Sequence, residues 1–256
     1  MLGDEDGMSP PHGWASPMIG GDEFRHVACT VSDGVARLTL RRPEKRNAVT
    51  AAMWEAVLAH LDSAAARSDV RVLLVQGSER VFCAGADLSS IKRADGTASD
   101  DYVDLAVRAF TAVADFPAPS VACIEGPCMG AGCSLALACD LRFAHPSAFF
   151  AVPAVKHGIV YDTPSVDRLS ALLGPSRAGR MLFTAERIDA RRAADIGLVD
   201  DCAEDLDRLV TDFVDAVRAG DAATVLALRR ALRPPTSKLA EKAVDDHHRV
   251  LGRTAP

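Results

Sequence analysis

The stretch that most constrains this chain runs from Ser120 to Leu137. Ser120-Val121-Ala122-Cys123-Ile124 is an unbroken apolar run of strand length, and Cys133-Ser134-Leu135-Ala136-Leu137 opens a helix of small and apolar residues that reaches Asp140. Between them stand Glu125-Gly126-Pro127-Cys128-Met129-Gly130-Ala131-Gly132, with three glycines and a proline. That is the composition of a tight turn whose backbone approaches a neighbour or a ligand closely. The helix that follows begins with N–H groups lacking intrahelical acceptors, at the positive end of its dipole. Such a turn suits an oxyanion or a phosphate. A packed strand-to-helix turn, with glycine serving only close contact, explains the same residues equally well.

A second stretch repeats the pattern. Val72-Leu73-Leu74-Val75-Gln76-Gly77 reads as another buried strand, and Val81-Phe82-Cys83-Ala84-Gly85-Ala86-Asp87-Leu88 follows it. Two glycine-containing turns, each behind an apolar strand, could face each other and give two backbone donors to one carbonyl oxygen. Two further segments complete a series: Asn47-Ala48 after Arg42-Pro43-Glu44-Lys45-Arg46, and the run from Ala190 to Val199. In order and spacing, over roughly residues 24–201, the four resemble the signatures of the enoyl-CoA hydratase/isomerase (crotonase) superfamily. The resemblance implies an α/β fold of repeated ββα units forming a spiral of packed sheets, with a C-terminal helical trimerisation segment. With a composition-based flexible tail over residues 1–21, the expected division is then a core with an acyl-CoA pocket over 22–200 and a helical segment over 201–256. A homotrimer or hexamer would be expected, with coenzyme A as part of the ligand and no separate cofactor.

Whole-chain properties fit that class. The 256 residues are 48% hydrophobic and 25% charged, ordinary for a globular protein able to bury a full core. A net charge of −6 offers no electrostatic case for nucleic acid or an anionic membrane. The sequence has neither an apolar run of membrane-spanning length nor a signal-peptide pattern, so a cytoplasmic protein is expected. Seven cysteines, scattered and without a CxxC spacing, read as reduced, buried small hydrophobes. No metal site is indicated, and Gly130-Ala131-Gly132 lacks the fingerprints of a P-loop or a dinucleotide fold.

Taken in order, residues 1–21 are rich in Gly, Pro and Asp, contain Trp14, and read as a mobile tail. Strands are expected at 24–31 and 35–40, joined by the hairpin signal Ser32-Asp33-Gly34. Thr50 is placed to cap a helix whose Met53, Val57, Leu58 and Leu61 share a face. A polar loop is expected over 91–101, a helix over 102–116, and a short strand over 141–144. Thr163-Pro164 starts a helix with Val166, Leu169, Leu172 and Leu173 on its apolar face, and Gly174-Pro175 stops it. Helices follow over 177–183 and 190–196, then a returning strand at Gly197-Leu198-Val199. From Leu206 the pattern is helical, with breaks at Gly220-Asp221 and Pro234-Pro235.

By resemblance, the oxyanion donors fall on the backbone N–H groups of Ala86 and Ala131. Ala48 and Ala84 carry over as backbone contacts to CoA, Gly130 as part of the site, and Lys45 as a charge for the nucleotide phosphates. Hydratases of this family deprotonate water with two glutamates, because proton transfer needs groups of suitable pKa beside the reacting carbons. Here those positions hold Ser134 and Ala154, and neither can serve as a base at neutral pH. Two-glutamate hydration is therefore not expected. One carboxylate remains nearby: Asp162, eight residues beyond Ala154, which resembles the aspartate of the dienoyl-CoA isomerase and chlorobenzoyl-CoA dehalogenase branches. An aspartate just before Thr163-Pro164 is also what a helix N-terminus prefers, so cap and catalytic carboxylate both stand. His157 is the histidine nearest these motifs, and a histidine flanking a turn is more often a surface or hydrogen-bonding residue than a catalytic one.

The run from Lys156 to Asp162, followed by Ser165-Val166-Asp167-Arg168-Leu169-Ser170, is similar to mycobacterial-type paralogues that keep the pocket and lack the glutamates. The function implied is fatty acyl-CoA binding without standard hydration. An enolate-forming isomerase using Asp162, and a pseudoenzyme subunit valued for its surfaces, are the alternatives.

Overall fold

The computed structural model describes residues 25–91 and 100–232. The expected tail with Trp14, most of the polar loop, the Pro234-Pro235 break and the end of the helical segment lie outside the described residues.

The chain opens as a hairpin. β1 (Val27–Ser32) and β2 (Val35–Leu40) pair antiparallel with Val27 opposite Leu40. Asp33 and Gly34 turn it with φ of 49° and 75°, the double positive φ of a turn whose twist matches the strands. α1 (Ala51–Ala65) follows, and Thr50 caps it by accepting from the Met53 N–H. β3 (Val72–Gly77), β4 (Ser120–Ile124), β6 (Leu141–Ala144) and β9 (Asp201–Cys202) then join β2 one after another, all parallel, giving the order β1-β2-β3-β4-β6-β9.

A second, smaller sheet runs beside the first: β5 (Pro127–Met129), β7 (Phe149–Ala151) and β8 (Ile188–Asp189), in that order. In two successive units the chain places one strand in each sheet before the next helix. Thus β4 and β5 lead into α4 (Ala131–Ala138), and β6 and β7 lead into α5 (Thr163–Leu173). This is the expected spiral of ββα units. An isolated bridge between Cys83 and Cys128 carries the second sheet back to the 83–86 turn.

Period-2 alternation in β3 explains both layers of core. Leu73 and Val75 face the main core with Met53, Trp54 and Phe110, where Trp54 meets Phe110 edge to face at 5.2 Å. Val72 and Leu74 face the other way, under Leu206, Val210 and Val214 of α8 (Leu206–Ala219). Both faces are covered, which is why β3 reads as an unbroken apolar run. The helices beside the site are α2 (Leu88–Ile91), α3 (Asp100–Ala114) and α4, with the start of α5; α6 (Pro175–Thr184) packs on α5, α7 (Ala190–Asp195) lies against β7, β8 and β9, and α9 (Ala222–Leu232) ends the described residues.

Three expectations are corrected. Gly197-Leu198-Val199 is not a strand: the Leu198 and Val199 N–H groups both donate to Ala193 O, closing the C-terminus of α7, and the returning strand is β9. The buried Arg142 guanidinium fixes this bend by donating to Leu198 O at 2.8 Å and to Asp200 Oδ2 at 2.7 Å. Leu172, expected on the buried face of α5, is 37% exposed, whereas Ser165 is fully buried. The helix expected over 102–116 begins two residues earlier, at Asp100.

Candidate functional site

Two strand-to-helix turns meet at a cavity of about 260 Å³ lined by Ala84, Gly85 and Ala86 from one and Met129, Gly130 and Ala131 from the other. Gly85 has φ +104°, and a Cβ there would lie 2.9 Å from Met129 O and 3.8 Å from Ala131 N. An added Cβ at Gly132 would meet Cys83 O at 2.7 Å. Side chains at either glycine would drive the turns apart, so the glycines exist for the closeness of the two backbones.

Each turn is anchored from behind. Val49 N–H donates to Gly85 O and Asp87 N–H to Val49 O, both at 2.9 Å, leaving the Ala86 N–H on the opposite edge of the chain. Asp87 accepts from Ser89 and from the Arg42 guanidinium. Burial alone would raise the Asp87 carboxyl, but these hydrogen bonds and the Arg42 charge outweigh it and bring it down to about 2. Asn47, fully buried with φ 55°, accepts from Arg42 N–H at 2.7 Å and donates to the Ser78 and Val81 carbonyls. On the other side, Ala131 is the first residue of α4 behind its cap residue Gly130. Its N–H belongs to the first turn, which has no intrahelical acceptors.

The opposite wall is apolar. α3 presents Tyr102, Val103, Ala106, Val107 and Phe110, and α2 presents Leu88 and Ile91. Tyr102 turns its hydroxyl away to Val49 O at 2.8 Å. Nothing in the periodicity of α3 separated its cavity face from its core face.

The polar groups gather at one end. Ser134, fully buried on α4, has its Oγ 2.8 Å from Asp162 Oδ2 and 2.8 Å from Tyr161 Oη. Its single proton has two acceptors. Asp162 Oδ1 accepts from Ser165 N–H at 2.9 Å, so this aspartate caps α5 and faces the cavity at once. Tyr161 donates to Gly130 O at 3.0 Å. Burial, with Cys133 and Asp162 close by, pushes the Tyr161 phenol well above the usual tyrosine range, so it keeps its proton. Ala154 lines the cavity with nothing to titrate, and His157 lies exposed at its edge.

The structure therefore brings Ala84, Ala86, Gly130, Ala131, Ser134, Ala154, His157 and Asp162 to one cavity. Lys45 and Ala48 do not line it. Lys45 is exposed at the end of a 3₁₀ turn, and the Ala48 carbonyl accepts from Arg42 at 3.1 Å. Tyr161 is the residue that sequence reasoning missed, because its role depends on Gly130, 31 positions away. None of the seven cysteines, all among the described residues, is in a disulfide; burial pushes Cys83 and Cys123 up to about 12, so these two behave as small hydrophobes.

Comparison with known proteins gives a consistent result. Residues 30–253 match the family model described as enoyl-CoA hydratase/isomerase. A probable enoyl-CoA hydratase of Mycobacterium leprae (strain TN) is 38% identical over 175 residues, which is 67% of this chain and 69% of that protein. The crystal structure of an enoyl-CoA hydratase from Mycobacterium avium subsp. paratuberculosis K-10 superposes with a TM-score of 0.78 at 28% identity, covering 90% of this chain and 91% of the other. A candidate enoyl-CoA hydratase of Thermobifida fusca YX, solved in complex with CoA, superposes with a TM-score of 0.74 at 27% identity, covering 90% and 96%.

Proposed function

This chain belongs to the enoyl-CoA hydratase/isomerase family, and on that premise we propose that it binds a fatty acyl-CoA thioester without hydrating it by the two-glutamate route. The thioester carbonyl sits between the Ala86 and Ala131 N–H groups, the acyl chain runs along the apolar wall of α3, and Ala48 and Ala84 meet the CoA moiety. The CoA complex of the Thermobifida fusca relative supports the ligand class. Lys45 stands outside the cavity and serves as a charge for the nucleotide phosphates. The protein works in the cytoplasm as a trimer or hexamer, with no cofactor beyond the CoA of its ligand.

The observation that carries this reading is the pair Ser134 and Ala154. Hydration needs a base beside the β-carbon. At one position stands a buried hydroxyl bonded to Asp162, and at the other a methyl group. A second reading, an enolate-forming isomerase, is favoured by the Asp162 carboxylate on the cavity wall.

Incubating an enoyl-CoA series with near-stoichiometric protein, wild type beside Asp162→Asn, decides between them. We expect intact substrate that co-elutes with both proteins, with at most about 1 kcal/mol lost in the variant from the charge removed at the start of α5. A 3-hydroxyacyl product from wild type would sink the claim about Ser134 and Ala154. A shifted double bond that disappears in Asp162→Asn would establish the isomerase.

A further inference from the structure

Gly130 C=O and Ala131 N–H are the two ends of one peptide group. The N–H end is the donor assigned above to the thioester oxygen. The C=O end accepts from Tyr161 Oη at 3.0 Å, and Tyr161 Oη in turn lies 2.8 Å from Ser134 Oγ, which lies 2.8 Å from Asp162 Oδ2. Two hydroxyl protons serve these three contacts: Tyr161 gives its own to Gly130 O, and Ser134 gives its own to either Tyr161 Oη or Asp162 Oδ2, so the Tyr161–Gly130 bond is the link that reaches the oxyanion donor.

We propose that Tyr161 is a positioning residue for the oxyanion site: its hydroxyl fixes and polarises the Gly130–Ala131 peptide, strengthening the Ala131 N–H as a donor. This deepens the acyl-thioester reading and rests on it.

Three observations support the proposal. A proton given to a peptide oxygen draws charge toward that oxygen and leaves the N–H of the same unit more positive, the cooperative strengthening seen along hydrogen-bonded chains. Gly130 O also accepts from Ser134 N–H at 3.1 Å, as the first bond of α4. Tyr161 is therefore not needed to satisfy that carbonyl; its hydrogen bond is a second one, added where the peptide faces the cavity. Finally, Ser134 touches Tyr161 and Asp162 together, so the polar group standing at the first glutamate position is tied into the peptide that binds the carbonyl.

The test is the carbonyl stretch of a bound, carbonyl-labelled acyl-CoA, read by infrared difference spectroscopy on the full-length protein. Wild type should lower the thioester C=O frequency relative to the same ligand in water. Tyr161→Phe keeps the ring and removes the hydrogen bond, and should give back roughly 10–30% of that lowering. Affinity should fall by about twofold to tenfold. Ser134→Ala, which leaves the Tyr161–Gly130 bond in place, should keep most of the lowering. An unchanged frequency in Tyr161→Phe, with wild type shifted, overturns the positioning role alone. Acyl-CoA that binds wild type without any frequency change, or does not bind, overturns both that role and the acyl-thioester reading.

Discussion

Asp87 shows how much of the site is held by residues that never face the ligand. Its carboxylate ties the 83–86 turn to Arg42 and caps α2 through Ser89, and its folded-state pKa of about 2 lies below the ordinary aspartate value. A depressed carboxylate contributes stability that is present above the unfolded pKa, near 4, and is lost as the pH falls toward 2. The shift corresponds to about 2 kcal/mol for a group this little exposed. Asp87→Asn should therefore lower unfolding stability by about that much at pH 7, and the gap between variant and wild type should narrow by roughly half at pH 3. Urea titrations at the two pH values check this, and an equal gap at both would show that Asp87 owes its role to packing rather than charge. Residue types at this scale were legible where a motif named them: Ala86, Ala131, Ser134, Ala154 and Asp162 all reach one cavity. Their partnerships were not. Whether Asp162 caps a helix or faces the pocket was an open choice in the sequence, and the structure gives it one oxygen for each task.

Among the elements, those defined by local chemistry were readable and those defined by distant pairing were not. The hairpin, the Thr50 and Asp162 caps and the Gly174-Pro175 stop are local signals, and each stands where the pattern puts it. β5, β7 and β8 were invisible because strands of two or three residues carry no periodicity and exist only through one another. α9 illustrates the same limit. Leu226 packs it on the main core, and its polar attachment runs through Arg229, buried against Asp140 Oδ2 and Ala114 O, both at 2.8 Å; the same Asp140 oxygen accepts from Ser120 N–H and Oγ. A helix held by one partly buried leucine and one buried cation opens locally more often when that cation is removed. Arg229→Met should cost about 1–3 kcal/mol, less than a fully buried broken pair, because Ser120 still serves Asp140. Hydrogen exchange should rise across residues 222–232 while β3 and β4 stay protected. Uniformly faster exchange over the whole chain would mean that the arginine holds the core and not the helix.

At the scale of the whole molecule, the arrangement of apolar surface argues for self-association. A single chain leaves Phe183 at the end of α6 78% exposed, and Leu228 and Leu232 of α9 60% and 83% exposed. Leu228 and Leu232 stand four residues apart and so share one helix face. Isolated exposed leucines are ordinary, but a ring of this size at a helix end and a paired leucine stripe are not accounted for by any packing within the described residues. Burying each is worth about 1.5–3 kcal/mol. The family resemblance implies a trimer, and we propose that these side chains lie in its contact. Light scattering at micromolar concentration should give three times the chain mass or a multiple of it. Phe183→Asp and Leu232→Asp, each placing an unpaired charge in that contact, should shift the population toward monomer by tenfold or more, since a buried unpaired charge costs several kcal/mol. Acyl-CoA binding separates two outcomes that mass alone confuses. The described residues of one chain already supply the oxyanion turns and the apolar wall, and on the proposal that these suffice, dissociation should leave acyl-CoA binding within a fewfold of wild type. A monomeric wild type would remove the assembly argument outright. A variant that dissociates and loses the ligand together would instead show that a neighbouring copy completes the site.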